Sequence, residues 1–449
     1  MTASTASRPT LSRVLGLPRL TLFGLSYMLP LTVFTTYGIV NFMTSGRIVI
    51  AYAITLAAML FTALSYARMV RAYPVAGSVY AYARKSFGAS VGFLSGWTLM
   101  LDYLLMPLLT YLVIGIYLGE SFPAVPQWIW VIASAVVVTG LNILGVSLVS
   151  TASNLLIAFQ VIFLLVFAVM ALQTYAGAEV VSIHEAVLGS GGTTGALFAG
   201  AAVLCLSFLG FDAVTAMAEE AKNPRRTIPK AVMLVTLAGG GTFIIIAALA
   251  NLALPDWQSY ANIDSAALDV MSAAGGAFLT VFFNAAYIAG CFGAVLASQS
   301  TVTRMLFAMG RDRVLPTRVF GYVHPRFLTP VYASLIVGAI GLLALFLDLD
   351  LVASLISFGA LIAFAMVNLA VIKHYYIDSG KHGISRFITY FLPPLIGLAM
   401  CIWLWTSLSA TTLIVGLCWF VLGVVHLAVI THGFRRRPPE MQEQFAETE

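Results

Sequence analysis

Twelve apolar segments, most of them about twenty residues long, fill this 449-residue chain. The hydrocarbon core of a bilayer is about 30 Å thick, so a helix needs about 20 apolar residues to cross it. The composition fits many such crossings, since 60% of the residues are hydrophobic and only 9% are charged. The sequence therefore predicts an all-α polytopic membrane protein with twelve transmembrane helices. The predicted spans are residues 20–43, 48–66, 91–118, 128–146, 155–172, 195–217, 231–252, 277–307, 331–347, 351–372, 390–405 and 412–430.

The basic residues predict the orientation of the chain, because short loops rich in Lys and Arg stay on the cytoplasmic side. Arg68 and Arg71 follow the second span, and Lys222 follows the sixth. Twelve crossings return both termini to one side, so we expect a cytoplasmic N-terminal arm (residues 1–19) and a cytoplasmic C-terminal tail (residues 432–449). The formal net charge of +5 is then a topology signal and does not indicate a nucleic-acid surface.

The first and sixth apolar segments carry helix-breaking residues at equivalent places: Pro30 and Gly38 in the first, Gly210 in the sixth. Non-helical backbone at bilayer depth is tolerated only where it is buried in protein or lines a cavity. The two breaks are five helices apart, and because five is odd, the second block of helices enters the membrane inverted. The simpler alternative is that Pro and Gly are merely frequent in membrane helices. The predicted blocks are a first inverted repeat (20–175, helices 1–5), a second (195–373, helices 6–10) and two further helices (387–431).

Two acidic residues fall within the predicted spans. An ionisable side chain at the centre of the bilayer costs about 2.5–3.5 kcal/mol, so it needs a partner or a function. Asp102 lies inside the third span, where the sequence offers no Lys or Arg to pair with it. It is a counter-ion for a cation, a proton carrier, or a carboxyl hydrogen-bonded to a neighbouring helix. Asp212 stands where the second half of the sixth helix begins, so it could cap that helix, titrate during gating, or do both.

The sequence carries no convincing motif of an enzyme or a channel. It lacks HExxH and P-loop patterns, its one GxSxG match (residues 88–92) lies at the start of the third apolar span and follows no predicted strand, and its His and Cys residues are scattered singly. A channel would need a filter loop or rings of like residues. We therefore expect no enzymatic activity, no cofactor and no metal site, and a carrier is the favoured class.

Five segments of the chain resemble one family of carriers. They are residues 24–40, 65–82, 92–103, 207–220 and 310–325, among them GLSYMLPLTVFTTYGIV in the first helix and SFLGFDAVTAMAEE in the sixth. The whole chain resembles the amino acid, polyamine and organocation superfamily of secondary carriers, and is most similar to bacterial putrescine importers. The resemblance implies a LeuT-like 5+5 inverted repeat with helices 1 and 6 broken and helices 11 and 12 peripheral. It also implies a multi-pass protein of the bacterial cytoplasmic (inner) membrane.

The resemblance further implies a substrate site at the two broken helices, closed over by helices three, eight and ten. Amino-acid carriers of the superfamily hold a carboxylate on a Gly-Ser-Gly run at the first break, where this chain has Thr36, Tyr37 and Gly38. A substrate with amines and no acid group fits that change, with Tyr37, Phe208 and Tyr103 as candidates for cation–π contact. The candidate substrate-binding residues are Asp102, Tyr103, Thr35, Thr36, Tyr37, Gly38, Phe208, Gly210, Asp212 and Ser298.

Two departures from the family pattern affect charge and coupling. Putrescine importers carry an acidic residue where this chain has Thr35, so a dication would depend on Asp102 and Asp212 alone, and a mono-cation or an uncharged amine is an alternative. Proton-coupled amino-acid carriers have a Lys in the fifth helix, where this chain has Gln160. The candidate coupling residues are Asp212, Asp102 and Gln160. Hydroxyls near Ser298 offer an alternative sodium site.

These observations together predict a secondary active transporter that imports putrescine or a similar small (di)amine by alternating access, driven by protons. Its expected partners are the small cationic amine, protons and the lipid bilayer, with no nucleic acid. One alternative is an amino-acid permease or exchanger of the same superfamily. Another is a substrate-sensing receptor built on a carrier fold, which would show no flux.

Overall fold

The computed structural model of the chain describes residues 15–28, 30–74, 78–144, 149–177, 188–189, 191–218, 220–311, 314–327, 329–380 and 383–435. Within these ranges all regular secondary structure is helical, apart from one isolated β-bridge between Leu15 and Ala221. Most of the predicted N-terminal arm and C-terminal tail lies outside the described residues, as does Leu29 in the first break.

The α-helices, numbered in chain order, are α1 (Leu17–Tyr27), α2 (Tyr37–Met43), α3 (Ile48–Ala72), α4 (Ser78–Phe87), α5 (Ala89–Ser121), α6 (Gln127–Leu144), α7 (Val149–Gly177), α8 (Thr194–Val203), α9 (Ala213–Ala216), α10 (Pro224–Ala253), α11 (Ala266–Arg311), α12 (Thr317–Phe320), α13 (Val331–Gly341), α14 (Leu349–Val371), α15 (Ile384–Arg386), α16 (Leu392–Thr406) and α17 (Ala410–Ile430). Short 3₁₀ turns join or extend them at Pro30–Phe34, Leu204–Phe208, Ile263–Ser265 and Leu342–Leu345, and π-helical turns do so at Ile372–Ile377 and Phe387–Phe391.

Several helices begin where the sequence supplies a capping residue. The Thr193 hydroxyl before α8 accepts a hydrogen bond from the Ala196 amide at 3.2 Å. The Ser409 hydroxyl before α17 accepts one from the Thr412 amide at the same distance. Pro224 opens α10, in the first turn where its missing N–H would have no helical partner anyway. The two capped helices, α8 and α17, begin within two residues of their predicted spans, whereas α10 begins seven residues before its predicted span.

Eleven helices in the described residues are long and apolar enough to cross a membrane. The ninth predicted span is a shorter apolar helix, Val331–Leu345, made of α13 and its 3₁₀ turn. The eighth bends at Gly275 and Gly276, whose backbone angles are not helical, so its straight part begins at residue 277, where the predicted span begins. The all-helical membrane fold is therefore confirmed, and the count of twelve crossings stays a prediction.

Helices α5 and α14 form the centre of the bundle, whereas α16 and α17 lie at its edge. The apolar stretches of α5 and α14 are 83% and 78% buried inside the protein, and the two helices pack against each other. Gly359 makes that contact close, because a Cβ there would lie 2.9 Å from the Thr98 carbonyl oxygen. The apolar stretches that include α16 and α17 are only 22% and 17% buried, so most of their surface faces lipid.

The bundle has a basic end and an acidic end. Arg71, at the end of α3, and Lys230, near the start of α10, line one cavity. Glu120, at the end of α5, lines another together with Asp264 and Asp348. Because α5 starts directly after α4 on the basic side and its 33 residues rise about 1.5 Å each, these cavities lie at opposite ends of the bundle.

Buried polar side chains fasten α14 to α3. Asn368 of α14 accepts a hydrogen bond from the Ser65 hydroxyl at 2.6 Å, and its Nδ2 donates to the Thr62 hydroxyl at 3.1 Å. The same nitrogen also donates to the Phe364 carbonyl of its own helix at 3.0 Å. Hydrogen bonds between helices help to stabilise a bundle in lipid. Lipid chains are as apolar as the side chains, so the hydrophobic effect does not drive helices together there.

We expect Asn368→Ala to lower stability by about 1–2 kcal/mol, because two interhelical hydrogen bonds are lost and each contributes of the order of 0.6 kcal/mol in membrane proteins. The measurement is thermal unfolding of the detergent-solubilised protein, followed by intrinsic tryptophan fluorescence.

Asn142→Ala is the matched control. Asn142 is partly buried, and its Nδ2 donates only within its own helix, to the Val138 carbonyl at 3.1 Å. An equal drop in unfolding temperature for both variants would show that the loss comes from removing the amide itself and not from the link between α3 and α14.

Candidate functional site

The first membrane helix leaves helical geometry between α1 and α2. Pro30, which has no N–H, begins a 3₁₀ turn, and Thr35 and Thr36 follow before α2 starts. The Phe34 carbonyl accepts a hydrogen bond from the Tyr117 hydroxyl of α5 at 3.0 Å. A neighbouring helix thus supplies the partner that lipid could not.

The second break lies between α8 and α9, and it touches the first. Gly210 has a φ of 127°, a conformation that favours glycine. A Cβ at this position would lie 2.9 Å from the Met28 backbone nitrogen and 2.9 Å from the Tyr27 ring. Upstream, the Val203 carbonyl accepts a hydrogen bond from the Ser357 hydroxyl of α14 at 3.0 Å. The two interruptions predicted from the sequence therefore meet in the middle of the bundle.

A cavity of about 70 Å³ lies where the two breaks meet. We call it the central cavity. Most of its wall is apolar, with a few hydroxyl groups and one amide. Helix α11 contributes Tyr287, Gly290, Cys291, Ala294 and Ser298; α5 contributes Met106, Leu109, Thr110 and Val113; α7 contributes Gln160; and the two breaks contribute Tyr27, Met28, Leu31, Thr32, Thr35, Leu206 and Leu209.

Three of the predicted site residues, Thr35, Gln160 and Ser298, line this cavity. The Thr35 hydroxyl shares a hydrogen bond of 2.7 Å with the Tyr287 hydroxyl, which ties the first break to α11. Gln160 lies against Gly290, where an added Cβ would clash with the Gln160 Nε2, and the buried Oε1 of Gln160 has no hydrogen-bond partner. The Ser298 hydroxyl donates to a carbonyl of its own helix at 3.3 Å.

Asp102, Tyr103 and Asp212 form a second group, on the basic side of the central cavity. Asp102 stands four residues before Met106 and therefore on the same face of α5. The carboxyl groups of Asp102 and Asp212 are near enough to interact electrostatically, and Tyr27 and Tyr103 interact with both. Tyr27 lines the central cavity and also interacts with both carboxyls, so it lies between the cavity and the acid pair.

Asp102 has no polar partner of its own within the described part of the chain. It is buried, with 6% of its surface exposed, and no described group forms an ion pair or a hydrogen bond with its carboxyl. It faces the interior, since a Cβ on Gly359 of α14 would lie 3.7 Å from its own Cβ. The described residues therefore do not support the alternative in which a hydrogen bond from a neighbouring helix holds Asp102.

Asp212 stabilises the second break directly. Its Oδ1 accepts a hydrogen bond from the Gly210 amide at 3.2 Å. Although Asp212 occupies the N-cap position of α9, its side chain makes no capping hydrogen bond to that helix. The predicted capping role is thus replaced by a bond to the break itself.

A polar network closes the bundle on the acidic side of the central cavity. The Tyr37 hydroxyl donates to Asn251 Oδ1 at 2.7 Å, and Asn41 Nδ2 donates to Asn251 at 3.0 Å and to the Tyr260 hydroxyl at 2.7 Å. Burial raises the pKa of Tyr260, so this hydroxyl is neutral at physiological pH. We call these four residues the acidic-end network. Gly38 packs beside it, close against the backbone of the turn before α11.

Besides Gly210 in the second break, four predicted site residues belong neither to the wall of the central cavity nor to the group of Asp102, Tyr103 and Asp212. Thr36, Tyr37 and Gly38 lie toward the acidic-end network, and the buried Thr36 hydroxyl has no hydrogen-bond partner. The Phe208 ring packs against Phe243, with ring centres 5.6 Å apart, and is fully buried. This placement does not support the cation–π role that the sequence suggested for Tyr37 and Phe208.

An aromatic cluster closes the basic side of the acid pair. The ring centre of Phe211 lies 5.6 Å from that of Tyr66 and 5.2 Å from that of Phe364. The ring centre of Tyr82, in α4, lies 6.1 Å from that of Tyr66. All four rings are buried. Phe211 directly precedes Asp212, so a movement of the second break would disturb this cluster. We call it the basic-end cluster.

Sequence reasoning missed Tyr27 and Tyr287 as site residues. A signal existed for Tyr287, because Gly290, Cys291, Ala294 and Ser298 follow it at helical spacing and mark one stripe of small residues. No comparable signal existed for Tyr27, since its position depends on how α1 crosses the second break.

The chain matches the family model for the amino acid permeases over residues 19–430. It is 35% identical to the low-affinity putrescine importer PlaP of Escherichia coli (strain K12), over 97% of this chain and 98% of the relative. It is also 28% identical to the branched-chain amino acid permease BcaP of Bacillus subtilis (strain 168), over 94% of both chains. The methylthioribose transporter of the same organism is 26% identical over 93% of both chains.

These relatives span nearly the whole chain, and they are named as importers, permeases or transporters, so the chain is a membrane transporter and not an enzyme. The family model and the identity to PlaP together show that this chain belongs to the amino acid permease family, within the amino acid, polyamine and organocation superfamily.

Proposed function

We propose that this transporter imports putrescine or a similar small (di)amine across the bacterial inner membrane, coupled to protons. The observation that carries the proposal is the acid pair, Asp102 and Asp212, buried beside the central cavity with no described cationic side chain paired to either carboxyl. Buried charges in proteins are paired or neutralised, so an acid pair of this kind calls for a cation or a proton from elsewhere. The name of the relative PlaP supports putrescine.

Charge balance favours either a dication or a monocation with a proton. When both carboxyls are ionised they carry two negative charges, which a diamine would neutralise. With a monoamine, one carboxyl has to keep a proton, since two like charges at close range disfavour each other. Either arrangement couples the protonation of the pair to substrate binding, and this is the basis for proposing proton coupling.

The size of the central cavity supports alternating access from a closed state. Sites for small ligands usually measure about 300–1,000 Å³, whereas this cavity measures about 70 Å³. It is closed on one side by the acidic-end network and on the other by the basic-end cluster, backed by the bridge between Leu15 and Ala221. Loading of substrate would then permit one closure to open at a time, by movement of the broken helices within a twelve-helix, LeuT-like inverted repeat.

The acidic end supports a cationic substrate on electrostatic grounds. Glu120, Asp264 and Asp348 line a cavity of about 760 Å³ at that end. Acidic side chains around an entrance raise the local concentration of cations. With the basic end in the cytoplasm, as the distribution of Lys and Arg predicts, this entrance faces the outside.

The runner-up is an amino-acid permease or exchanger. One observation favours it: the cavity wall is largely apolar, as a branched side chain would require. The apolar lining residues include Leu31, Leu109, Val113, Leu206 and Leu209. The relative BcaP is named for branched-chain amino acids.

Uptake by proteoliposomes separates these functions. We expect uptake of labelled putrescine that rises when the outside is more acidic than the inside. Cadaverine and agmatine should compete with it better than neutral amino acids do. Stronger competition by leucine or isoleucine would favour the runner-up, uptake only into preloaded vesicles would indicate an exchanger, and binding without flux would indicate a receptor.

Substitutions of Asp102 and Asp212 should affect uptake in different ways. We expect Asp102→Asn to reduce uptake of charged amines at low substrate concentration by about tenfold or more, because one buried counter-charge is lost and tenfold is only about 1.4 kcal/mol. Asp212→Asn should alter the pH dependence of uptake more than the apparent affinity, because this residue also holds the break. Initial rates across a pH series give both quantities.

Asp256→Asn is the matched control for the acid pair, since Asp256 is exposed and bonds the Gln258 amide in its own loop at 3.0 Å. Its uptake should equal that of the wild type. Wild-type uptake of putrescine by the Asp102→Asn protein would contradict the counter-ion role.

Gly290 keeps the space that Gln160 needs at the cavity wall. We expect Gly290→Ala to raise the KM for uptake several-fold, because the new Cβ would push the amide into the cavity at a strain of about 1–3 kcal/mol. The protein should still fold, since the displaced group borders an open space.

Gly241→Ala is the control, because a Cβ at Gly241 meets nothing within 4 Å. An unchanged KM in Gly290→Ala, at normal expression, would show that Gln160 does not limit substrate binding.

A further inference from the structure

A cavity of about 520 Å³ opens at the basic end, away from the central cavity. Its wall carries three cationic side chains, Arg68 and Arg71 of α3 and Lys230 of α10, together with the aromatic rings of Tyr375 and Tyr390. No Asp or Glu is among its described lining residues. The cavity therefore collects positive charge that its own wall does not balance.

Arg68 is fixed so that part of its guanidinium has no protein partner. Its Cζ lies 5.5 Å from the centre of the Tyr390 ring, and the Tyr375 hydroxyl donates to its backbone carbonyl at 3.0 Å. Its Nη1 is buried and makes no hydrogen bond. Asp378, three residues after Tyr375, forms an ion pair with Lys373 at 2.7 Å. A buried N–H donor without an acceptor is costly, and an anion would remove that cost.

Lys230 stands at the top of an apolar stripe that faces lipid. On α10 the exposed residues Leu234, Leu237 and Ile245 follow it at helical spacing, with 44%, 48% and 60% of their surfaces exposed. Leu234 also lines the cavity. The basic wall and the lipid-facing stripe are thus continuous with each other.

We propose that this cavity binds the phosphate of an anionic phospholipid, in the leaflet at the basic end. Arg68, Arg71 and Lys230 surround the phosphate oxygens, and one acyl chain follows Leu234 and Leu237 along α10. Basic pockets between membrane helices recognise lipid headgroups in this way. The site lies apart from the substrate path, so it does not depend on which amine is carried.

A free phosphate group has the same chemistry as a lipid headgroup. The apolar stripe below Lys230 favours the phospholipid, because a soluble anion would make no use of it. The two sources differ in their need for an acyl chain, and a binding experiment can distinguish them.

The test is native mass spectrometry of the full-length protein in detergent, titrated with dioleoyl phosphatidylglycerol or dioleoyl phosphatidylcholine. We expect phosphatidylglycerol to bind more tightly. In the double variant Arg71→Gln/Lys230→Gln its Kd should rise about tenfold or more, since each basic residue contributes to attraction of an anionic lipid. Both residues are exposed, so the protein should fold.

The double variant Arg225→Gln/Arg226→Gln is the control. It removes the same charge from exposed residues at the same end, outside the cavity, and its Kd should stay within about twofold of wild type. Equal weakening by both double variants, or equal Kd values for the two lipids, would overturn the proposal. So would inorganic phosphate at millimolar concentration displacing phosphatidylglycerol completely, which would assign the cavity to a soluble anion.

Discussion

The requirement that backbone groups find partners inside the membrane governs this structure. Lipid provides no hydrogen bonds, so each break in a helix has to be surrounded by protein that does. Tyr117 meets the Phe34 carbonyl of the first break, and Ser357 meets the Val203 carbonyl beside the second. Both partners come from α5 and α14, whose apolar stretches are 83% and 78% buried inside the protein. The breaks are therefore held at the centre, where Gly210 lets them touch.

That contact creates an environment in which Asp102 and Asp212 are tolerated. Away from the breaks, an acid in hydrocarbon would cost about 2.5–3.5 kcal/mol with no compensation. Beside them, Asp212 Oδ1 accepts a hydrogen bond from the Gly210 amide, and Tyr27, which lines the central cavity, interacts with both carboxyls. Asp102 gains no such bond from the described residues. This asymmetry supports the proposed roles, in which Asp212 stabilises the break and Asp102 meets the cationic substrate.

The sequence predicted much of the fold, because apolar length and breaking residues are local properties. Residue 277 was predicted as the start of the eighth span, and the structure bends just before it, at Gly275 and Gly276. Pro30 and Gly210 correctly marked the breaks. The direction in which each side chain points was harder to predict from the sequence, because it depends on how the helices rotate and cross. Tyr37 and Phe208 are near the breaks in sequence yet turn away from the cavity, while Tyr27 and Tyr287 turn toward it.

Polar groups are unevenly distributed around the central cavity, and their arrangement bears on the proposed substrate. The acid pair stands beside Tyr27, whereas the Thr35–Tyr287 hydrogen bond and the unpartnered Gln160 oxygen lie on the cavity wall itself. Most of the remaining wall is apolar. A diamine has the same pattern, with two ammonium groups separated by methylenes. One ammonium would meet two carboxyls and the other a neutral oxygen, so the second end would be held less tightly. The site should therefore accept amines that differ at that second end, which fits a chain that lacks an acidic residue at Thr35.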